Sequence, residues 1–248
     1  MSNNIKHNYP IILVSLTFLA LAIWASILSW SEILTIRPQK VLKQLNKTHH
    51  IEPTLINKMI DRVNTSTTLN PSSANNHLIL AQLYEYLHES SPEKNNINYL
   101  VLAESEYLKA IYLQPNWDKA WAQLAKFYDK KNDGYKMLYA LEKAMFLGPF
   151  EYNIQELILP VIFKYWELVN NSDKNADKIK QILKHIFKYK KKIHLTFTYA
   201  LKSKNLEAMK VIEFMTSKKE YKKQLKIQRL KLQVNDSQYE NTNLDVNQ

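Results

Sequence analysis

The chain has 248 residues, a formal net charge of +11, two glycines and no cysteine. This length is enough for one membrane segment and one soluble domain with a core of its own. So few glycines disfavour sheet-rich folds, whose tight turns need positive φ, and therefore favour helices. The lack of cysteine excludes disulfides, thiolate catalysis and cysteine-ligated metals, but it does not fix the cellular compartment.

The positive charge is concentrated in the C-terminal third of the chain. The segment Lys174–Lys231 holds 18 basic and 4 acidic residues, a local charge of +14, whereas the rest of the chain is near −3. A partner that is selected by positive charge is therefore expected to contact this segment alone.

An apolar segment follows a short polar tail at residues 1–10. Its sequence, IILVSLTFLALAIWASILSW (Ile11–Trp30), has 20 residues and no charge. As a helix it would span roughly 30 Å, the hydrocarbon thickness of a bilayer. A cleaved signal peptide is the alternative, because Ala20-Leu21-Ala22 has the A-x-A form of a cleavage site, but this triplet lies inside the apolar run. We expect an uncleaved transmembrane helix at residues 11–30.

Two signals give opposite orientations for that helix. Arg37, Lys40, Lys43 and Lys47 follow the span, and by the positive-inside rule they would keep the C-terminal part in the cytoplasm. Large following domains, however, translocate with little regard to charge. A short polar tail before a single span is also the usual plan of a protein anchored by its N-terminus. The sequence leaves the side of the membrane open.

After the predicted span, small residues, large residues and prolines recur at similar spacings. Pro71, Pro115 and Pro149 are separated by 44 and 34 residues, and six residues lead from Pro71 to His77 and from Pro115 to Trp121. Small and large side chains alternate between the prolines, so that paired helices could approach closely. They are His77, Leu80, Ala81, Tyr84, Ala103, Tyr107 and Ala110 in one block, and Trp121, Leu124, Ala125, Tyr128, Met137, Leu141 and Ala144 in the next. This spacing resembles the tetratricopeptide repeat (TPR), a pair of antiparallel helices about 34 residues long.

These patterns predict an all-α fold, in which antiparallel helix pairs stack as a short TPR-like solenoid after one transmembrane helix. The TPR-like domain is placed at 31–234, with its best repeats at about 74–115 and 118–149, and a disordered polar tail at 235–248. A polar insertion, Glu89–Asn98, lengthens the first repeat, and Asn132-Asp133-Gly134 is expected to form the turn inside the second. Apolar stripes predict further helices, namely Thr54–Thr67, one starting near Ile154, one near Ile179, a hairpin at His194–Phe214 and a basic helix at about Lys218–Val234.

No pattern in the sequence supports an enzyme. Two isolated glycines cannot form a Walker or dinucleotide-binding loop, and neither Gly-x-Ser-x-Gly nor His-Glu-x-x-His occurs. His49, His50 and Glu52 are a weak metal candidate, because adjacent side chains point apart. Glu104 and Glu106, two apart on a helix, are expected to face different ways and to be solvated. We predict a protein without catalytic residues, metal or cofactor.

The concave wall of the predicted solenoid is the candidate partner-binding face. The first helix of each pair builds such a wall, which usually binds peptide segments or partner proteins. The residues expected on it are Asn75, Leu78, Gln82, Glu85 and Tyr86 in the first repeat, and Lys119, Ala122, Lys126, Asp129 and Lys130 in the second. Their mixed charge favours a polar ligand, although merely solvated side chains would give the same pattern.

Three interpretations fit the lysines of Lys174–Lys231. In the first they form the solvent-exposed side of amphipathic helices, and the aliphatic parts of their side chains cover apolar surface. In the second they contact anionic lipid or acidic polysaccharide. In the third they bind nucleic acid, for which Lys184–Lys192, with Phe187 and Tyr189, is a candidate. The first interpretation is favoured, and nucleic acid is the least favoured.

Two longer stretches, LQPNWDKAWAQLAKFY and ALEKAMFLGPFEYNIQELILPVIFKYWEL, carry a further likeness over the middle third of the chain. It rests on Pro115, Trp117, Trp121, Leu124, Ala125, Leu141, Gly148, Pro149, Phe150, Gln155 and Trp166. These residues resemble the VpsP family of bacterial exopolysaccharide biosynthesis proteins, which have a short N-terminal tail, one membrane span and a small helical-repeat domain.

The resemblance implies an accessory, non-catalytic protein of polysaccharide assembly or export in the bacterial inner membrane. Its soluble domain would lie in the periplasm, and its partners would be proteins of the assembly complex. The alternative is a cytoplasm-facing basic adaptor that holds nucleic acid or an acidic protein at the membrane.

Overall fold

Helices form all the regular structure in the computed structural model of the protein, which describes residues 3–48, 51–90, 98–188, 193–216, 219–230 and 232. The all-α prediction is confirmed for these residues. The helices are α1 (Asn3–Thr48), α2 (Pro53–Leu69), α3 (Ala74–Ser90), α4 (Tyr99–Leu113), α5 (Asp118–Lys130), α6 (Gly134–Leu147), α7 (Tyr152–Lys164), α8 (Trp166–Val169), α9 (Asp173–Lys188), α10 (Ile193–Ser203), α11 (Leu206–Met215) and α12 (219–230).

The chain divides into two compact units, Met1–Pro115 with α1–α4 and Asn116–Gln248 with α5–α12. The sequence predicts one domain at 31–234, whereas the observed division follows Pro115, the proline that separates the two best repeats. Several predictions lie outside the described residues. They concern His49, His50, residues 91–97 of the polar insertion, residues 189–192 of the basic candidate and the tail at 235–248.

Helix α1 changes character along its length. From Ile12 to Trp30 it is exposed on every side except at Leu28, which is partly covered. After Trp30 one face of the helix is buried in the first unit, at a spacing of three or four residues that follows one side of a helix. The buried residues are Ser31, Thr35, Pro38, Val41 and Leu45. Helix α1 is therefore one continuous helix with an exposed apolar N-terminal part and a C-terminal part that packs in a hairpin. It is long and apolar enough to cross a membrane.

Pro38 lies inside α1 without ending it. Proline has no amide hydrogen, so the carbonyl four residues earlier, that of Leu34, loses its helical partner. Arg62 of α2 donates from Nε to this carbonyl at 3.5 Å, which is a long hydrogen bond. Helix α2 therefore compensates in part for the backbone group that Pro38 leaves unpaired.

Helices α3 and α4 are the first TPR-like pair, and they pack along their length. Ala81, Ala103 and Ala110 are completely buried between them, which lets the two backbones approach closely. Tyr107 is buried beside these alanines. Helix α4 ends at Leu113, two residues before Pro115, so the proline separates the repeats as predicted.

Helices α5 and α6 are the second TPR-like pair. The predicted turn between them is confirmed, because α5 ends at Lys130 and α6 begins at Gly134. The left-handed conformation in this turn belongs to Asn132, at φ 56°, and not to the glycine, since asparagine is among the residues that tolerate it. Asp133 caps α6 by accepting a hydrogen bond from the Lys136 amide at 3.1 Å.

Gly148 ends α6 against the first turn of α5. A Cβ atom at Gly148 would lie 2.1 Å from Asp118 Oδ2 and 2.8 Å from Asp118 Cβ. A side chain at this position would therefore collide with Asp118, so the close approach of the two helices requires glycine.

The remaining helices of the second unit continue the pattern. Helix α7 packs on α5 and on α10, and α10 packs on α11. The turn between α10 and α11 lies at Ser203–Asn205, as the predicted hairpin requires. Helix α12 is attached through the buried Leu225 and through a ring stack between Tyr221 and Phe197 at 4.4 Å. An ion pair between Arg229 and Glu213, 2.8 Å long, adds to this contact.

Candidate partner-binding face

Helix α3 of the first unit carries the predicted contact residues of the first repeat. Asn75 and Gln82 are half-buried, as are Glu85 and Tyr86. Glu85 accepts a hydrogen bond from the hydroxyl of Tyr107 at 2.7 Å. The Tyr86 hydroxyl accepts from the amide of residue 51 at 2.9 Å and donates to the carbonyl of the same residue at 3.2 Å. Glu85 and Tyr86 therefore already form hydrogen bonds with other residues of the first unit.

Helix α5 of the second unit carries the residues of the second repeat. Lys119 and Lys130 are exposed, while Lys126 and Asp129 are half-buried. Asp129 Oδ1 accepts from Lys164 Nζ at 2.6 Å and from the Tyr165 hydroxyl at 2.8 Å. Lys164 and Tyr165 lie at the C-terminal end of α7, so this carboxylate ties α5 to α7.

The contact between Asp129 and Lys164 perturbs the ammonium group. The hydrogen bond that Lys164 donates to Asp129 raises the pKa of the ammonium group above its ordinary value, with a smaller opposing effect of partial burial. Lys164 therefore stays charged at neutral pH, although half of its side chain is exposed and the pair is screened by water. Its role is to orient the carboxylate of Asp129.

Two residues expected on the wall are in the core instead. Leu78 is 1% exposed and Ala122 is completely buried, so neither can contact a partner, and these two predictions are wrong. The reason is that α3 packs on both α2 and α4, and α5 on both α6 and α7. A helix with neighbours on two sides buries a wider arc than a single apolar stripe suggests.

A hydrogen-bonded cluster around the largely buried carboxylate of Glu106 was not predicted from the sequence. Glu106 of α4 pairs with His77 Nδ1 of α3 at 2.5 Å and accepts from Lys109 Nζ at 2.6 Å. Its side chain is 12% exposed, so the expectation of a solvated Glu106 is wrong. Burial raises the pKa of this carboxyl, but the hydrogen bonds from His77 and Lys109 lower it by more than burial raises it. The net shift of the pKa is therefore downward. The cluster joins α3 to α4 and is structural.

In α9, the lysines of the C-terminal third lie on the solvent-exposed side of an amphipathic helix, as the first interpretation predicts. Ile179, Ile182, Leu183 and Ile186 are buried, whereas the lysines of α9 are exposed or half-buried. Two of these lysines cover an aromatic ring of α6, since the ammonium groups of Lys174 and Lys178 lie 4.3 and 5.1 Å from the centre of the Phe146 ring. Such contacts add cation–π attraction to the packing.

Helix α12 differs from α9 in its charged surface. It exposes four lysines that have no acidic partner among the residues that the structure describes, namely Lys219, Lys222, Lys223 and Lys226. In the basic segment Lys184–Lys192, Phe187 is half-buried, which leaves part of its ring accessible. For metals, the described ranges contain no group of three His, Asp or Glu side chains suited to hold an ion.

No protein-family model matches the chain, and no curated protein matches it. Solved structures that are similar in shape include the crystal structure of MamA, at 22% identity and a TM-score of 0.42, covering 66% of this chain and 89% of that one. A human IFIT1 dimer with m7Gppp-AAAA matches at 16% identity and a TM-score of 0.48, covering 71% of this chain and 43% of that one. This chain thus spans less than half the length of IFIT1.

With TM-scores below 0.5, these likenesses carry no argument about what the chain binds. The helix pairs of the structure itself define its class. The protein is all-α and TPR-like, with antiparallel helix pairs and one N-terminal helix long and apolar enough to cross a membrane.

Proposed function

We propose that the protein is a membrane-anchored, TPR-like adaptor that captures a partner protein on α5 and α7. The observation that carries this proposal is the change along α1, from apolar side chains exposed on every side before Trp30 to one-sided burial from Ser31. Apolar surface costs about 25 cal/mol per Å² in water, so transfer of this exposed apolar segment into a bilayer is strongly favourable. The one-sided segment needs no lipid, because α2 and α3 cover it.

The end of α2 lies beside the apolar rod. Leu69 lines one groove together with Ile23, Ile27 and Trp30 of α1. With residues 11–30 in the hydrocarbon, the turn that follows Leu69 would lie in the headgroup region. The first unit would then rest directly on the membrane surface, without a flexible linker.

The capture surface is a lysine-rich patch on adjacent helices of the second unit. Lys119, Lys126 and Lys130 of α5 contribute positive charge, whereas the charge of Lys164 on α7 is offset by its ion pair with Asp129. The one carboxylate predicted for this surface, Asp129, already accepts hydrogen bonds from α7. The patch therefore favours a partner segment with acidic side chains, which electrostatic attraction would help to bring into register.

Site-specific photo-crosslinking in membranes tests this surface. The photoreactive amino acid p-benzoyl-phenylalanine replaces Lys119 or Lys130, and in a matched control it replaces Tyr135, which is 94% exposed on α6. We expect one discrete crosslinked product from positions 119 and 130 and none from 135. The same products from all three positions, or none from 119 and 130, would rule out the patch.

The setting that we propose is exopolysaccharide assembly or export in a bacterial inner membrane, with the two helical units in the periplasm. Its support is the likeness to the VpsP family over residues 115–166. A gene that lies among glycosyltransferase and polymerase genes, and loss of surface polysaccharide when it is deleted, are the expected results. Unchanged polysaccharide after deletion would remove this setting and leave the adaptor role standing.

A second candidate is a cytoplasm-facing adaptor for nucleic acid or an acidic protein, which the unpaired lysines of α12 favour. The two candidates require opposite sides of the membrane, so a topology reporter fused after Gln248 separates them. Cytoplasmic reporter activity together with salt-sensitive retention on heparin would support the second candidate. Periplasmic activity would support the first.

A further inference from the structure

A groove in the second unit is lined by α8, α9 and α11 and has a volume of about 500 Å³. Its apolar lining includes the buried Trp166, Ile179 and Leu183. Phe214 of α11 lines it as well, although 88% of this side chain is exposed. A large aromatic side chain left this open beside an apolar cavity gains contact area when an apolar ligand occupies the groove.

The same groove carries three lysines. Lys180 and Lys184 are one turn apart on α9, and Lys210 of α11 lines the groove as well. Lys210 pairs with Glu207 at 2.6 Å, whereas Lys180 and Lys184 have no acidic partner in the part of the chain that the structure describes. Asp177 is the one carboxylate among the described residues that line the groove. The local charge is therefore positive, and it lies beside an apolar floor.

From this juxtaposition we propose that the groove binds a long-chain fatty-acid anion. Its alkyl chain lies against Trp166, Ile179 and Phe214, and its carboxylate is held by Lys180 and Lys184. Flexible lysine stems with compact ammonium groups suit a small anionic head. The volume falls within the roughly 300–1,000 Å³ of small-molecule sites. This site is separate from the capture patch on α5 and α7 and does not depend on it.

Photo-affinity labelling of the full-length protein in lipid nanodiscs tests the site. The probe is palmitate that carries a diazirine and an alkyne, and its counterpart is hexadecanol with the same two groups. Labelled peptides are identified by mass spectrometry. The apolar part of α1 serves as an internal reference, because lipid-facing residues should react with both probes equally.

We expect peptides of α9 and α11 to be labelled by the palmitate probe about tenfold more than by the alcohol, which corresponds to about 1.4 kcal/mol for the charged head. The double variant Lys180→Gln, Lys184→Gln should reduce this labelling to the level of the alcohol. Phe214→Ala should also reduce it, and because Phe214 is exposed the fold is not at risk. The matched control, Lys222→Gln with Lys223→Gln on α12, should change nothing.

Competition with unlabelled amphiphiles identifies the anionic head. Palmitate should abolish labelling of α9 and α11, and neutral lysophosphatidylcholine should not. If lysophosphatidylglycerol competes and palmitate does not, the ligand has a phosphate head group, and the assignment of a carboxylate would be overturned. Equal labelling by both probes, or labelling that survives removal of Lys180 and Lys184, would overturn the site itself.

Discussion

Ser31 and Ser66 bind each other reciprocally where α1 crosses α2. Ser31 Oγ donates to the Ser66 carbonyl at 3.0 Å, and Ser66 Oγ donates to the Ser31 carbonyl at 2.8 Å. Both residues are completely buried, and Asn76 Nδ2 of α3 donates to Ser66 Oγ at 2.8 Å. This polar junction comes immediately after the last residue of the apolar segment, so it fixes the first packed hairpin to the proposed anchor.

The replacement Ser66→Ala should destabilise the first unit. It removes one donor to the Ser31 carbonyl and leaves Asn76 Nδ2 without its acceptor, at a cost of about 1–3 kcal/mol for a buried unpaired group. Thr68→Ala is the control, because the exposed Thr68 hydroxyl donates to carbonyls of its own helix, those of Asn64 and Thr65. Thermal unfolding followed by circular dichroism measures both changes. Equal midpoints for the two variants would show that the junction contributes nothing.

Gly148→Ala and Gly134→Ala should have opposite effects. At Gly148 the new methyl group meets Asp118, so we expect a loss of about 1–3 kcal/mol from overpacking. At Gly134 a Cβ meets nothing within 4 Å, and alanine should be neutral or more stable by up to about 1 kcal/mol, as its higher helix propensity predicts. Denaturant unfolding of the two variants gives the comparison. A Gly148→Ala protein as stable as the parent would contradict the close approach of α5 and α6.

The Glu106 cluster should make the first unit sensitive to acid. The pKa of the Glu106 carboxyl is lowered from its usual 4.5 in the folded protein. Its contribution to the free energy of unfolding is therefore complete above the unfolded value and is lost as the pH falls through the lower folded value. As the pH falls below 4.5, we expect the melting temperature of the parent to decrease more steeply than that of Glu106→Gln. Parallel pH profiles would exclude this linkage.

The double variant Lys126→Glu, Lys130→Glu should abolish partner capture without unfolding the protein. Lys130 is exposed and Lys126 is half-buried, so helical circular dichroism should be unchanged, while the reversed charge repels an acidic segment. The control exchanges Lys222 and Lys223 of α12 for Glu, which changes the net charge equally. Capture is measured by the yield of the crosslinked product from position 119. An undiminished yield in the α5 variant would remove Lys126 and Lys130 from the contact.

Ala125→Trp should unfold the second pair. Ala125 is completely buried, and a bulky ring there cannot be accommodated without moving α5 from its neighbours, at a cost well above the about 1–3 kcal/mol that extra methylene groups typically bring. Tyr135→Trp places the same ring on an exposed position of α6 and should be neutral. Circular dichroism at room temperature separates the two outcomes. A native spectrum and an unchanged melting temperature for Ala125→Trp would contradict the hairpin register.

Local patterns predicted the helix pairs well because the responsible features are local. Proline ends a helix wherever it removes an amide hydrogen, and buried alanines such as Ala81 and Ala125 mark close backbone approach in any such pair. The turn at Asn132–Gly134 was likewise predicted from its turn-forming residues. These features need no knowledge of distant parts of the chain.

The contacts that sequence reasoning missed join residues far apart in the chain. Ser31 and Ser66 are 35 residues apart, and His77 and Glu106 are 29 apart. No spacing rule links such pairs, since their meeting depends on how two helices cross. The burial of Leu78 and Ala122 was missed for the same reason, because it depends on a second neighbouring helix. The groove beside Phe214 likewise forms only when α9 and α11 are brought together.

The central claim is that α1 holds the protein in a bilayer through residues 11–30. Alkaline carbonate extraction of membranes from cells that express the full-length chain, followed by flotation, tests it most directly. The account predicts that the intact, uncleaved protein stays with the floated lipid, and that replacing Ile23 and Ile27 by Lys releases it. Recovery of the parent protein in the carbonate supernatant would contradict the account.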